Sequence, residues 1–386
     1  MKIGTKKILV MDNFVHENYG GGQVFSNWFY DRLRRLDGFE VVKLDLDSIK
    51  NVPVNRSVLT PLKNWLDTNS MRNANKLFQA TNKVLSKSIE TIRLMLQARL
   101  LKGVYFDVII SNDFRDLWII DKATISMEKL VIVLHNPNLK RYLIPKSKSS
   151  FLEKIFNTTY YLYKYSKLSI TTLVAINKTQ LDIVNKYLSK QAIEISNGID
   201  TQKYNTSDRI SQNKIAIFTG RLFEEQKHIS ELIHIFFEVS KPDWIFFLIG
   251  TGPDMKYYNG LIRSMGLEHR VILTNFLPER EKIDMMRRGK VFLSASRDEG
   301  LPFSYLEAMS CGLPLLTYRN DGAEAIISDG INGFIVDGVE SFKKRLIEIM
   351  EDDELQRHLS LNARKTIVEN FDQEETFKRY LSIILG

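Results

Sequence analysis

Two glutamates in the C-terminal half of the sequence are spaced so that they can flank a bound anion. Glu299 and Glu307 are separated by seven residues within SRDEGLPFSYLEAMSCGLP, residues 296–314. This segment follows a predicted strand and opens a predicted helix, so the amides of residues 300–303 lie at a helix N-terminus, with Pro302 suited to the first turn. Unsatisfied N–H groups and the helix dipole favour an anion at that place.

The two carboxylates have a role of their own beside such an anion. They can accept hydrogen bonds from sugar or ribose hydroxyls on either side of it. The alternative interpretation is that two acidic residues merely cap a helix. Acidic pairs at this spacing are common by chance, whereas the strand–GLP–helix setting is much less common.

Two cations precede this segment in the sequence FTGRLFEEQKHISELI, residues 218–233. Arg221 follows a predicted strand, and Lys227 lies near the start of the next predicted helix. Together they can bind a diphosphate, the arginine through a two-pronged hydrogen bond and the lysine as a point charge. In isolation, a pair of solvated surface cations is the preferred interpretation.

Glycine-rich turns and one histidine complete the candidate set. Gly20-Gly21-Gly22 lies between the first predicted strand and a helix predicted from about Gln23, and it fits neither G-x-G-x-x-G nor a Walker A motif. It is either a flexible loop or a place where the backbone approaches a phosphate or sugar closely. Gly250-Thr251-Gly252 forms a G-x-G turn after a strand, and His135 ends the apolar run VIVL, where a lone histidine is usually structural.

Taken in order, these segments resemble the family 4 GT-B glycosyltransferases, the large retaining group also called group 1. Residues 296–314 resemble the E-x7-E motif, ISNGID (195–200) the N-G-[IV]-D turn between domains, and residues 218–233 the G-R-L…K-G signature. The glycine loop at 20–22 and the histidine of VLHNP resemble N-terminal landmarks. One departure is His228, which stands where the family usually has glycine. The C-terminal half carries the resemblance strongly and the N-terminal half weakly.

The resemblance implies a role for each matching residue. Arg221 and Lys227 would neutralise the leaving nucleoside diphosphate, Glu299 would hold the donor-sugar hydroxyls and Glu307 the ribose. His135 would touch the donor sugar. The implied site therefore comprises catalytic Arg221, Lys227, Glu299 and His135, donor-binding Gly250, Gly300, Leu301, Pro302, Phe303 and Glu307, and the cleft residues Gly20, Gly21 and Gly22.

Asp45, Asp47 and Cys311 are residue types that can bind metals or act as nucleophiles, but we interpret them as structural. Asp45-x-Asp47 ends an early strand, so we reject it as a metal site; the resembling family generally needs no metal or other cofactor, because arginine and lysine replace it. Cys311 is interpreted as a small buried residue rather than a nucleophile.

Predicted strands and helices alternate along most of the chain, which favours an α/β class with parallel sheets. Two such series predict two Rossmann-like domains facing one cleft, as in GT-B proteins. Residues 1–197 are predicted to form the acceptor domain and residues 198–371 the nucleotide-sugar domain, with a C-terminal helix at 372–386 packing back on the first domain.

Charge divides the sequence unevenly. Net charge is +8 overall, and residues 1–190 hold 30 Lys and Arg against 16 Asp and Glu, so this half is strongly basic and the remainder acidic. Residues 138–168 interleave seven basic residues with aromatic ones, which suits an anionic membrane surface. A helix with a solvated basic side and a core-facing aromatic side is the alternative. No nucleic-acid motif is present.

Composition and targeting signals limit the protein class further. With 44% hydrophobic and 26% charged residues the composition is globular, and the single cysteine excludes an internal disulfide. No apolar run reaches the length of a spanning helix, so we expect a cytoplasmic protein, peripheral on the inner face of the cell membrane.

The resemblance, together with these residues, implies a retaining glycosyltransferase. It would move a hexose from a nucleotide-sugar, by default a UDP-sugar, to a lipid-linked saccharide. The alternatives are a non-catalytic GT-B subunit that stabilises a partner enzyme and a GT-B sugar-nucleotide epimerase.

Overall fold

The computed structural model describes residues 5–11, 21–44, 94–95, 97–99, 101–112, 114–135, 139, 143, 158–188, 190–206, 213–239 and 241–386. Asp45, Asp47 and Gly20 lie outside these residues. So does most of the basic aromatic segment at 138–168. That Asp45 and Asp47 do not form a metal site therefore stays a prediction.

A parallel sheet with helices forms from the N-terminal part of the chain. Its elements are β1 (Lys6–Met11), α1 (Gly21–Leu33), β2 (Phe39–Leu44), β3 (Tyr105–Ser111), α2 (Phe114–Ala123), β4 (Ser126–Leu134), α3 (Thr158–Ser166), β5 (Thr171–Ala175), α4 (Lys178–Tyr187) and β6 (Ile193–Glu194). The strand order is β2-β1-β3-β4-β5-β6. In β1 and β4 the carboxyl-terminal halves are buried, because these apolar runs are covered on both faces.

A second six-stranded parallel sheet forms from the C-terminal part. Its elements are β7 (Ile215–Thr219), α5 (Glu224–Lys227), α6 (Ile229–Val239), β8 (Ile245–Ile249), α7 (Met255–Ser264), β9 (Val271–Thr274), α8 (Glu279–Arg288), β10 (Val291–Ser294), α9 (Phe303–Ser310), β11 (Leu315–Tyr318), α10 (Asp321–Ile326), β12 (Gly333–Val336), α11 (Val339–Glu351), α12 (Asp353–Asn370) and α13 (Gln373–Leu385). The strand order is β12-β11-β10-β7-β8-β9. The predicted α/β class with two parallel sheets is confirmed.

The second sheet has a continuous apolar core. Every residue of β7, β10 and β11 is buried, as expected for central parallel strands covered by helices. Aromatic side chains from β8 and α6 pack inside it: the ring centroids of Phe236 and Phe246 lie 5.3 Å apart, with the ring planes tilted by 37°. This core fixes the strand ends from which the site residues project.

The chain divides into two compact units. One comprises Met1–Val133, Ile144–Leu173 and Leu188–Lys190, and the other Leu134–Leu143, Val174–Tyr187 and Gln191–Gly386. The domain limits expected from the sequence, at 197/198 and 371/372, stay a prediction.

The C-terminal helix α13 contacts the segment before β7 within the second unit. The Thr376 hydroxyl donates to the Ser196 carbonyl at 3.3 Å, and Arg379 donates to the Glu194 carbonyl. A Cβ at Gly198 would lie 2.6 Å from the Gln373 Cα, so only glycine fits where the chain passes this helix.

Candidate active site

The candidate residues of the C-terminal part lie after successive strands of the second sheet. Arg221 follows β7, Gly250 follows β8 and Glu299 follows β10. Carboxyl ends of parallel strands meet at one edge of a sheet, and ligands of open α/β sheets bind there. The sheet therefore explains why residues far apart in sequence belong to one site.

Lys227 and Glu299 form a shielded ion pair. The Lys227 ammonium, at the last residue of α5, donates to Oε1 of Glu299, and the two side chains are only 15% and 9% exposed. Shielding from water strengthens their attraction, and it makes removal of either partner costly. The second oxygen of Glu299 accepts no hydrogen bond from the residues that the structure describes, so it is available to a ligand.

Arg221 has a buried N–H donor that the described residues leave without an acceptor. Its guanidinium lies over the Phe223 ring, 5.0 Å from the centroid, which orients the group. Its Nε is buried and has no hydrogen-bond partner among the described residues. A buried donor without an acceptor is costly, so this N–H is suited to an anionic ligand.

Two asparagines hold successive carbonyls of the GLP segment. Nδ2 of Asn177 donates to the Gly300 carbonyl at 2.7 Å, and Nδ2 of Asn197 donates to the Leu301 carbonyl at 3.0 Å. In a planar trans peptide the C=O and the following N–H point in opposite directions. The Leu301 N–H therefore points away from Asn177.

The rest of this segment is fixed in the same way. The Gly322 amide donates to the Glu299 carbonyl at 2.8 Å, which directs the Gly300 N–H to the opposite side. Pro302 is the N-cap of α9, with φ −72° and ψ 137°, rather than a first-turn residue as predicted, because the helix begins one residue later. The N–H groups of 303–304 open α9 and have no acceptor in the described part of the chain, which leaves them for an anion.

Glu307, the second glutamate of the pair, lies inside α9 and is also ion-paired. Nζ of Lys282, in α8, lies 2.7 Å from its Oε1. The Tyr204 hydroxyl donates to the same oxygen at 3.1 Å. Each glutamate of the E-x7-E segment thus has a lysine partner.

The G-x-G turn at 250–252 permits two loops to lie against each other. Gly250 has φ +147°, and a Cβ there would lie 1.9 Å from the Gly220 carbonyl oxygen. A Cβ at Gly252 would lie 2.1 Å from the Leu222 carbonyl oxygen. Both glycines therefore position the loop that carries Arg221, and contact of Gly250 with a nucleotide stays a prediction.

The departure at His228 has a conformational explanation. His228 ends α5 with φ 47° and ψ 45°, which is the left-handed region. Glycine reaches this region without strain, whereas other residues pay about 1–2 kcal/mol. The family's glycine is therefore a backbone requirement, and histidine meets it here at a cost.

Replacing His228 with glycine is expected to stabilise the protein by about 1 kcal/mol, because the strain is relieved. The measurement is the free energy of unfolding in urea. The same replacement at His234, inside helix α6, is the matched control and should cost roughly 0.5 kcal/mol. A loss of stability in H228G would contradict the explanation.

His135 directly follows β4 and belongs to the same unit as the GLP segment. Its carbonyl oxygen lies 3.6 Å from where a Cβ of Gly300 would be. Burial lowers the pKa of the imidazole to about 4, so the ring is neutral at pH 7. The structure thus places His135 beside the GLP segment, and its contact with a sugar stays a prediction.

The glycines of the N-terminal loop and the single cysteine are the remaining predicted positions. Gly21 and Gly22 are the first residues of α1, so the helix begins two residues earlier than predicted. Cys311, directly after α9, is buried as predicted, and burial raises the pKa of its thiol to about 12.

Sequence reasoning missed several residues around the two glutamates. Asn177 carries the same signal that identified Arg221, since it follows the strand β5. Tyr204 and Lys282 carry no such signal, because their partner Glu307 lies on a different helix and the contacts are set only by packing. These missed residues orient the glutamates and the GLP segment.

The two parallel sheets are similar to those of solved GT-B proteins. HepE of Anabaena, in a crystal structure with UDP and glucose, superposes over 98% of both chains with a TM-score of 0.66 at 19% identity. At that identity the likeness shows the fold, and it confirms the predicted GT-B fold.

Within that class, residues 200–366 match the family model of the glycosyl transferases group 1. The resemblance predicted from the sequence is therefore confirmed, and this stretch contains Arg221, Lys227 and both glutamates.

Curated relatives match over part of their length. The α-monoglucosyldiacylglycerol synthase of Acholeplasma laidlawii is 32% identical over 39% of this chain and 38% of its own. The UDP-Gal:α-D-GlcNAc-diphosphoundecaprenol α-1,3-galactosyltransferase of Escherichia coli is 27% identical over 52% of this chain and 57% of its own. The chain thus spans about half the length of the curated relatives it matches.

The described residues include neither a membrane-spanning helix nor a metal-binding cluster. None of their helices combines the length and the apolar character needed to cross a bilayer. In the same part of the chain, no group of three or more His, Cys, Asp or Glu side chains is placed to hold a metal ion.

Proposed function

We propose that the chain is a retaining glycosyltransferase that moves a hexose from a nucleotide-sugar to an acceptor hydroxyl. The shielded Lys227–Glu299 pair beside the α9 N-terminus is the observation that carries this proposal. It supplies a cation and a hydroxyl acceptor next to N–H groups that lack acceptors among the described residues. A sugar linked to a diphosphate is complementary to them, because its phosphates bind the cation and the N–H groups and its hydroxyls donate to the carboxylate.

The proposed reaction breaks the bond between the anomeric carbon and the phosphate oxygen, and it forms a bond from that carbon to the acceptor oxygen. Charge grows on the departing diphosphate. Arg221, Lys227 and the N–H groups of the GLP segment stabilise it electrostatically, which supports catalysis without a bound metal. The acceptor proton passes to the leaving phosphate oxygen on the same face, so the anomeric configuration is retained.

The identity of the donor is supported by one relative and one solved structure. The E. coli relative is named for a UDP-sugar, and the HepE crystals contain UDP and glucose. We therefore propose a UDP-sugar donor. Glu299 holds the hydroxyls of the sugar, neutral His135 approaches it, and Gly250 lies on the nucleotide side.

The acceptor is proposed to be a lipid-linked saccharide, met by the basic N-terminal part at the inner face of the cell membrane. By name, one relative makes a glucosyldiacylglycerol and the other acts on a diphosphoundecaprenol-linked sugar. In α3, Tyr160 and Tyr163 are 51% and 45% exposed. Nζ of Lys167 lies 3.9 Å from the centroid of the Tyr163 ring, a pairing of aromatic and cationic groups that suits a lipid headgroup region.

The test is product analysis with UDP-hexoses and an undecaprenyl-diphosphate-linked sugar. We expect one glycosidic product, whose proton NMR coupling shows the anomeric configuration of the donor, and equal rates with and without EDTA. Inversion would contradict retention. Conversion of the nucleotide-sugar without an acceptor would identify an epimerase. No turnover by the folded chain until a partner protein is added would favour the non-catalytic subunit.

A further inference from the structure

A second ion pair lies between the two segments that the Lys227–Glu299 pair already joins. Nη2 of Arg297, in the loop after β10, lies 3.3 Å from Oε1 and 3.2 Å from Oε2 of Glu231, in the first turn of α6. Arg297 precedes Glu299 by two residues. Glu231 follows Lys227 by four residues. The loop after β10 and the start of α6 are therefore joined by two contacts.

Tyr318, the last residue of β11, contacts both members of this second pair. Its hydroxyl donates to Oε1 of Glu231 at 2.8 Å, and the Arg297 guanidinium lies 4.7 Å from the centroid of its ring. Burial and the bond to Glu231 raise the pKa of the phenol above its usual value, so the hydroxyl keeps its proton at pH 7. The buried ring therefore orients an arginine side chain that is itself 54% exposed.

The backbone beside each member of the second pair is anchored. Nδ2 of Asn320 donates at 2.9 Å to the carbonyl of Ser296, the residue before the arginine. The Glu231 amide donates at 3.2 Å to the carbonyl of His228, the residue after the lysine of the site. Short stretches of backbone therefore couple this contact to both the lysine and the glutamate of the site.

The two ion pairs differ in their relation to the donor. In the proposed function Lys227 neutralises the departing diphosphate and Glu299 holds sugar hydroxyls, so the donor competes for both members of that pair. Arg297 and Glu231 have no role toward the donor in the proposed reaction. Their contact therefore persists while the attraction between the lysine and the glutamate of the site is shared with the donor.

We propose that Arg297 and Glu231 are positioning residues that keep the start of α6 against the loop after β10 while the donor engages the lysine and the glutamate of the site. This inference rests on the proposed function. Misplacement of a catalytic group by about 1 Å can cost up to roughly 10²-fold in rate. Because charge on the diphosphate grows in the transition state, loss of the contact should affect kcat more than KM.

The experiment compares R297M, E231Q and R297M/E231Q by steady-state kinetics of the full chain with a UDP-hexose and a lipid-linked acceptor. E231Q keeps an acceptor for the Tyr318 hydroxyl and removes only the charge. We expect each single variant to lower kcat roughly threefold to tenfold, with the donor KM changed by less than about twofold. The double variant should be no slower than either single one, because all three lack the same contact. R297K should recover part of the rate, since lysine keeps the charge but not the planar group over the ring.

The control is R345M. Arg345 has the same two kinds of partner, the Phe334 ring at 4.4 Å and Glu348 at 2.7 Å, but its acidic partner lies in the same helix, α11. R345M should lower the melting temperature about as much as R297M and leave kcat unchanged. An unchanged kcat of folded R297M, or effects of R297M and E231Q that multiply in the double variant, would overturn the inference while leaving the proposed function intact. No turnover by the wild type with any nucleotide-sugar would overturn both.

Discussion

Replacing Lys227 with methionine is expected to lower kcat by about 10²-fold to 10³-fold, while the KM for the nucleotide-sugar changes much less. The reason is that negative charge on the diphosphate grows as the bond to the sugar breaks, so the lysine stabilises the transition state more than the bound donor. Loss of one such contact typically costs about 2.7–4 kcal/mol. Steady-state kinetics with a UDP-hexose and a lipid-linked acceptor measure kcat and KM of the variant and the wild type.

A second variant separates this effect from instability. K227M leaves the carboxylate of Glu299 shielded and unpaired, which costs about 3–5 kcal/mol of stability. The double variant K227M/E299Q removes that charge, so recovery of its melting temperature would identify the unpaired carboxylate as the cause of the instability. An unchanged kcat in K227M would contradict the role given to Lys227.

Replacing Gly250 with alanine is expected to lower the free energy of unfolding by about 3 kcal/mol or more. The added methyl group would lie 1.9 Å from the Gly220 carbonyl oxygen, and the backbone angle φ of +147° is unfavourable for any side chain. For a unit of this size the melting temperature should fall by roughly 6–12 °C. Calorimetry measures the change.

Gly260 provides the matched control for this substitution. It lies inside helix α7, and a Cβ there would meet nothing within 4 Å. Alanine at this position should therefore raise stability by roughly 0.5–1 kcal/mol. Equal melting temperatures of G250A and the wild type would show that the two loops after β7 and β8 are not held as close as the structure has them.

Strand ends were the part of the site that the sequence could predict. Arg221, Gly250 and Glu299 each follow an apolar run, and parallel strands bring such positions to one edge whatever the loops between them do. The fold class followed from the same alternation of strands and helices. Spacing within one segment also predicted that Glu299 and Glu307 flank the start of a helix.

Contacts set by packing could not be predicted in this way. Nothing in the sequence pairs Lys282 with Glu307 or directs Asn177 to the Gly300 carbonyl, because these partners come from separate elements. The depressed pKa of His135 has the same origin, since burial is a property of the folded chain. The left-handed backbone at His228 is likewise visible only in the structure, although a missing glycine was its signal.

The central claim is that the second unit holds a nucleotide-sugar donor, and thermal unfolding with nucleotides tests it most directly. The chain would be melted with UDP, GDP, dTDP and ADP, alone and as their common sugar conjugates, beside the double variant R221M/K227M. At a hundred times its Kd, a ligand adds about 2.7 kcal/mol of stability. We expect UDP and a UDP-sugar to raise the melting temperature of the wild type and not that of the variant. No shift of the folded wild type with any nucleotide would contradict the claim.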